Sequence, residues 1–202
     1  RDDDIPEYVA DGVADAGMVG LNVVEEKKSS VNIEKKLGFS KCRISLAIPK
    51  AIDYTGVQFF NGKRIATSYP VILKDFLTKN NIQAEVHEIS GSVEIATGIG
   101  LADAIFDIVS SGSTLVAHRL NEVEVVMKSE AVMIANNDLT SEKQTILEEL
   151  LFRIETVQEA AQKKYILMNV PNDKIKDIVE ILPGIKAPTI MPLVRDGWSS
   201  LH

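Results

Sequence analysis

Apolar runs of strand length alternate with helical stretches through the first 140 or so of the 202 residues. That alternation is the signature of an α/β sheet with helices on its faces. The clearest strands are Asp15–Gly20, Cys42–Ile48, Arg64–Thr67, Ala84–Ile89, Val123–Met127 and Ala131–Ala135. Helices are expected at Ile5–Gly12, from Asn22, from Ser68-Tyr69-Pro70 to about Lys79 with Ser68 as cap, and after Ser92 through Val93-Glu94-Ile95. A longer helix follows from Ser141, with Leu147, Leu150, Leu151, Ile154 and Val157 as one apolar stripe.

One segment carries chemistry as well as structure. Ala102 to Val109 reads as a buried strand bearing a single carboxylate, Asp107. It runs into Ser110-Ser111-Gly112-Ser113-Thr114, and a helix begins at about Thr114. Backbone N–H groups at a helix start favour an anion, Gly112 permits close approach, and the hydroxyls add donors. Asp107 repels phosphate, yet it can accept hydrogen bonds from a sugar diol or touch a phosphate-bound metal ion. Carboxylate and cradle together fit a sugar phosphate. The competing explanation is that the hydroxyls merely cap the helix.

The pentapeptide Gly12-Val13-Ala14-Asp15-Ala16 returns as Gly100-Leu101-Ala102-Asp103-Ala104, 88 residues later. In both places a helix precedes, an apolar strand follows and a glycine turn ends it. Two similar α/β lobes with a cleft between them are therefore expected.

The net charge of −7 argues against general nucleic-acid binding. A single cysteine, Cys42, allows no intramolecular disulfide, and the three histidines lack metal-ligand spacing. No secretory or membrane-spanning segment is present in the sequence, which points to a cytoplasmic protein without membrane contact. The first and last residues read as cut ends. The tail holds a strand at Tyr165–Val170, a helix capped by Asn172 or Asp173 and ended by Pro183-Gly184, and a strand at Thr189–Met191. A lone βαβ unit of this kind needs more chain or a partner.

Together these residues resemble the ATP phosphoribosyltransferases of histidine biosynthesis. The resemblance rests on Arg1-x-x-Asp4-Ile5-Pro6, Asp15-x-Gly17-x-x-Gly20, Arg64-Ile65-Ala66-Thr67-Ser68-Tyr69-Pro70, Gly91-Ser92-Val93-Glu94, Gly100-Leu101-Ala102-Asp103 and Asp107-x-Val109-Ser110-x-Gly112-x-Thr114-Leu115, followed by Glu122-Val123-Glu124. Met168-Asn169-Val170-Pro171, Leu182-Pro183-Gly184 and Pro188-Thr189-Ile190 resemble the regulatory domain of the family's long form.

The resemblance implies two lobes like a type II periplasmic binding protein, then the start of a ferredoxin-like α+β regulatory domain. Residues 1–48 and 125–160 would form the first lobe, 49–124 the second, and 161–202 the partial regulatory domain. It implies condensation of ATP with 5-phosphoribosyl 1-pyrophosphate (PRPP), with Mg2+ on the PRPP. Ser110, Ser111, Gly112, Ser113 and Thr114 would hold the 5′-phosphate, and Asp107 the ribose hydroxyls. Glu94 would share the catalytic centre with Asp107. Arg1, Asn22, Val23, Tyr69 and Glu94 would surround the nucleotide. Feedback inhibition by histidine and assembly of dimers into hexamers are implied in the same way.

The chain departs from the family pattern at Thr97-Gly98-Ile99, where a proline and an arginine are usual. It also resembles a piece lacking the family's N-terminal strand and basic loop and the end of the regulatory domain. Two alternatives share the fold: a solute-binding or effector-sensing module, and a paralogue without catalysis.

Overall fold

The computed structural model describes residues 2–182 and 188–202. Arg1 and the helix end expected at Pro183-Gly184 lie outside the described residues. The chain divides into two compact units, Arg1–Gln144 and Thr145–His202.

The first unit contains two sheets. A short 3-10 turn leads into α1 (Ile5–Ala10), with Pro6 in the first turn, where its missing N–H removes no helical bond. Then come β1 (Ala16–Gly20), α2 (Leu21–Lys27) and β2 (Asn32–Lys36). The chain crosses to the second lobe for β3 (Cys42–Pro49), β4 (Arg64–Thr67), α3 (Pro70–Lys79), β5 (Glu85–Glu88), β6 (Ala104–Val109), α4 (Ser113–Ala117) and β7 (Leu120–Ser129). It returns for β8 (Ala131–Ala135). The small sheet has the order β1-β8-β2, and the large one β5-β4-β6-β3-β7. β4 runs parallel to both its neighbours, whereas β3 is antiparallel to β6 and β7.

Strand β3 shows why the seam falls where it does. Ile44, Leu46 and Ile48 join the apolar cluster of Phe60, Leu73 and Phe106, while Ala47 joins Val93, Ile105, Leu115 and Leu120 on the other face. A strand buried on both faces belongs inside a sheet covered on both sides. Residues 42–49 and 120–129 pair with each other in the larger sheet.

Both copies of the internal repeat do equivalent work. Gly12 and Gly100 turn the chain with φ of 71° and 74°, and each leads into a strand that ends at a helix start. Gly17 has its own reason: a Cβ there would stand 2.5 Å from Ile5 Cγ2, so α1 packs on β1 only because the side chain is absent.

Two expected caps are replaced. Ser68 donates to the Ile89 carbonyl at 2.8 Å instead of capping α3. The α3 amides of Val71 and Ile72 donate to the Glu26 carboxylate of α2, at 2.9 and 3.0 Å. Ser92 sits at φ 51° and makes no capping bond; the helix expected after it is a single 3-10 turn, Val93–Ile95.

The second unit holds most of α5 (Ser141–Gln162), then β9 (Met168–Pro171), α6 (Ile175–Ile181), β10 (Ile190–Pro192) and β11 (Trp198–Leu201). β11 lies between β10 and β9 and is antiparallel to both, so the βαβ unit read from sequence gains a central strand. Along the α5 stripe Leu147 is buried, while Leu150 and Val157 are exposed. Among the described residues no helix is long and apolar enough to cross a membrane.

Candidate active site

Asp107 faces a cleft of about 350 Å³ lined by Glu94, Ser110, Ser111, Gly112 and Thr114 above the apolar floor of Ile105 and Leu115. Strand β6 delivers the carboxylate. Alternation along it sends Phe106 into one core and Asp107 toward the other face, where Ile105 and Val109 pack. Burial pushes the Asp107 carboxyl up to about 6; the backbone N–H of Ile108 pulls the other way, and the Glu94 charge adds to the rise.

The loop after β6 is not a plain helix cap. Gly112 occupies the N-cap position of α4 with φ 81°, in the left-handed region, and no side chain makes a capping bond. Ser111 and Ser113 share a hydroxyl–hydroxyl bond of 2.9 Å, and the Ser113 N–H reaches Ser111 Oγ at 3.4 Å. Ser110, Ser111, Ser113 and Thr114 are exposed. The hydroxyl-rich loop thus leaves the helix start open, as an anion site requires.

A second group of expected residues meets at the seam between the sheets. Asn22, buried at the start of α2, donates from its backbone to Ser129 Oγ at 3.0 Å and from Nδ2 to the Tyr69 hydroxyl at 3.2 Å. Ser129 donates in turn to Asn22 Oδ1 at 2.8 Å. Gly20 makes room for this fold-back, since a Cβ there would stand 2.5 Å from Asn22 Oδ1. Burial and then the Asp107 charge push the Tyr69 hydroxyl up to about 12, against the opposing bond from Asn22. Val23 and Tyr69 line a cleft of about 640 Å³ with Glu26, Lys27, Ser68, Lys74 and Ser90. Thr97 and Gly98 line neither cleft; they border a groove with Lys50, His118 and Arg119.

Sequence reading assigned no role to Arg43, Ser45 and Glu122. Arg43 makes a two-pronged contact with Glu122, Nε to Oε1 at 2.5 Å and Nη2 to Oε2 at 2.6 Å. Ser45 donates to the same carboxylate at 2.6 Å, and Arg43 Nη1 donates to the Ser110 carbonyl at 3.0 Å. The Arg43 bonds hold the Glu122 carboxyl below the usual range. No local pattern announces contacts between residues 79 apart.

Residues 1–156 match the family described as HisG, ATP phosphoribosyltransferase, and residues 160–202 match the HisG C-terminal domain. The chain belongs to the ATP phosphoribosyltransferase family. It is 63% identical to the ATP phosphoribosyltransferase of Bacteroides thetaiotaomicron, across all of this chain and 71% of that protein. The Cytophaga hutchinsonii enzyme of the same name is 59% identical over the same shares. Among solved structures, the ATP phosphoribosyl transferase (HisG:HisZ) complex from Thermotoga maritima superposes with a TM-score of 0.70 at 28% identity, covering 79% of this chain and 78% of that one. A substrate binding protein of an amino acid ABC transporter gives 0.59 at 11% identity, covering 79% of this chain and 71% of that one. That likeness shows the two-lobed type II binding-protein fold alone.

Proposed function

We propose that this chain binds PRPP in the Asp107 cleft and ATP in the Tyr69 cleft, and joins the two. N1 of the adenine forms a bond to the anomeric carbon of the ribose. The bond from that carbon to pyrophosphate oxygen breaks, and its electron pair leaves with pyrophosphate, which carries the Mg2+ that entered on PRPP. The product is N1-(5-phosphoribosyl)-ATP, the first intermediate of histidine biosynthesis. Among the described residues no group of three or more His, Cys, Asp or Glu is placed to hold a metal ion.

The observation that carries this reading is the open helix start behind a hydroxyl loop in the same cleft as a buried carboxylate. The hydroxyls and amides of Ser110–Thr114 take the 5′-phosphate. Asp107, ionised above about pH 6, accepts from the ribose hydroxyls and stabilises the positive charge that builds on the ring as the bond breaks. Glu94 adds a second carboxylate to that wall. Tyr69, oriented by Asn22, offers its ring to the adenine, and Val23 supplies an apolar contact. Catalysis is positioning plus electrostatics, with no covalent enzyme intermediate. The match of residues 160–202 to the family's C-terminal domain supports feedback inhibition by histidine and assembly of dimers into hexamers. Arg1, assigned to the nucleotide, lies outside the described residues. Relatives named for a nucleotide-using transferase support a cytoplasmic location.

The test is pyrophosphate release that needs both ATP and PRPP. Asp107→Ala is expected to abolish it with an unchanged circular dichroism spectrum. Release at the wild-type rate in that variant would sink the assignment.

A further inference from the structure

Strand β3 lies between β6 and β7. In its register with β6, Arg43 stands opposite Val109 and Ser45 opposite Asp107. Residues directly opposite in an antiparallel pair share a face, so Arg43 and Ser45 lie on the Asp107 side of the sheet. Glu122 of β7 accepts from both of them, and Arg43 then reaches past the end of β6 to the Ser110 carbonyl. Its Nη2 is 4.0 Å from the place a Cβ on Gly112 would occupy. The guanidinium therefore packs against the loop itself.

We propose that Arg43, Glu122 and Ser45 form a brace that holds the Ser110–Thr114 loop in its ligand-ready shape, which makes Arg43 and Glu122 positioning residues for PRPP. The proposal rests on the reading of that loop as the PRPP cradle. An ion pair that only stitched β3 to β7 would have no use for Ser110, which lies beyond the sheet ladder. Within the loop the hydroxyls bond each other, and among the described residues the tie back to the sheet is the Arg43 bond. Glu122 cancels the Arg43 charge, so the pair shapes the loop more than it attracts the phosphate. The planar fork is essential: it serves Glu122 with two donors and Ser110 with a third, three fixed directions a lysine ammonium cannot reproduce. With side chains 31% and 23% exposed, the pair is shielded enough for its geometry to count.

The experiment uses the full-length protein with Arg43→Gln, Arg43→Lys and Glu122→Gln. Each is expected to raise KM for PRPP about tenfold, the size of a lost charge-assisted bond, while KM for ATP stays within about twofold. The Arg43→Gln/Glu122→Gln double variant is expected to be no worse than either single one. Hydrogen exchange at residues 110–114, measured without substrate, is expected to quicken in Glu122→Gln. An unchanged KM for PRPP in Arg43→Gln overturns the brace. So do equal rises in both KM values with exchange spread along β3 and β7, the mark of a stitch alone. Should Arg43→Gln fail to fold, Ser45→Ala keeps the ion pair and is read by the same exchange measurement; unaltered exchange at 110–114 then overturns the proposal. Wild-type protein that binds no PRPP removes the reading of the loop's ligand, whereas the exchange comparison judges the brace independently of it.

Discussion

Asp107 is held where its charge is costly to the fold. Its ordinary value is 3.8, and burial with the Glu94 charge brings it to about 6. Between those values the folded state keeps a proton that the unfolded chain has released. Stability therefore falls as pH rises through that window, and the full penalty applies above it. Asp107→Asn is expected to stabilise the protein by about 1–2 kcal/mol at pH 7 and by almost nothing below pH 4. Urea melts at the two pH values check this. Turnover of the wild type is expected to fall below about pH 6, as the carboxylate protonates, which a pH–rate profile reads directly. Gly112→Val forces a β-branched residue to φ 81° and puts bulk at the loop; PRPP binding is expected to vanish, as calorimetry would show. At this scale the strand, loop and helix start from Asp107 to Thr114 were legible as one contiguous run, and the structure brings most of it to one cleft. Arg43 and Glu122 were not legible, because their meaning depends on which strands become neighbours.

The capping of α3 shows the same limit one level up. Ser68 before Pro70 carries every local mark of a helix start, and the helix does begin at Pro70. The acceptor for its amides is nonetheless Glu26, a residue of another helix and another sheet's lobe. A carboxylate there meets both free N–H groups and the positive end of the helix dipole, which a serine hydroxyl cannot match. Glu26→Ala is expected to cost about 1–2 kcal/mol of stability, because two donors lose their partner and the dipole its anion. Thermal melts of Glu26→Ala and Ser68→Ala distinguish the two caps; a larger loss in Ser68→Ala would contradict the structure. Ser92 is a second instance, its hydroxyl idle at a left-handed position that begins a 3-10 turn.

Over the whole first unit, the alternation of strands and helices and the repeated Gly-x-Ala-Asp-Ala unit were enough to read two α/β lobes. The pairing of β3 with both β6 and β7 in the larger sheet was not readable, because each looks locally like any other strand and the pairing joins residues far apart in the chain. The seam is held by side chains from both sides: Asn22 to Tyr69, Glu26 to α3, and Lys28 to Asp75 at 2.9 Å. This is where a two-substrate reaction would need its reactants aligned. In the second unit β11 was not read from the sequence, and its place between β9 and β10 is a long-range fact. The central claim is that Asp107 and the loop behind it form a PRPP site. Titration of Mg2+-PRPP into the full-length protein by calorimetry tests it, with Asp107→Ala alongside. Binding in the wild type that is lost in the folded variant is the expected result. Equal binding in both proteins, or none in the wild type, would contradict it.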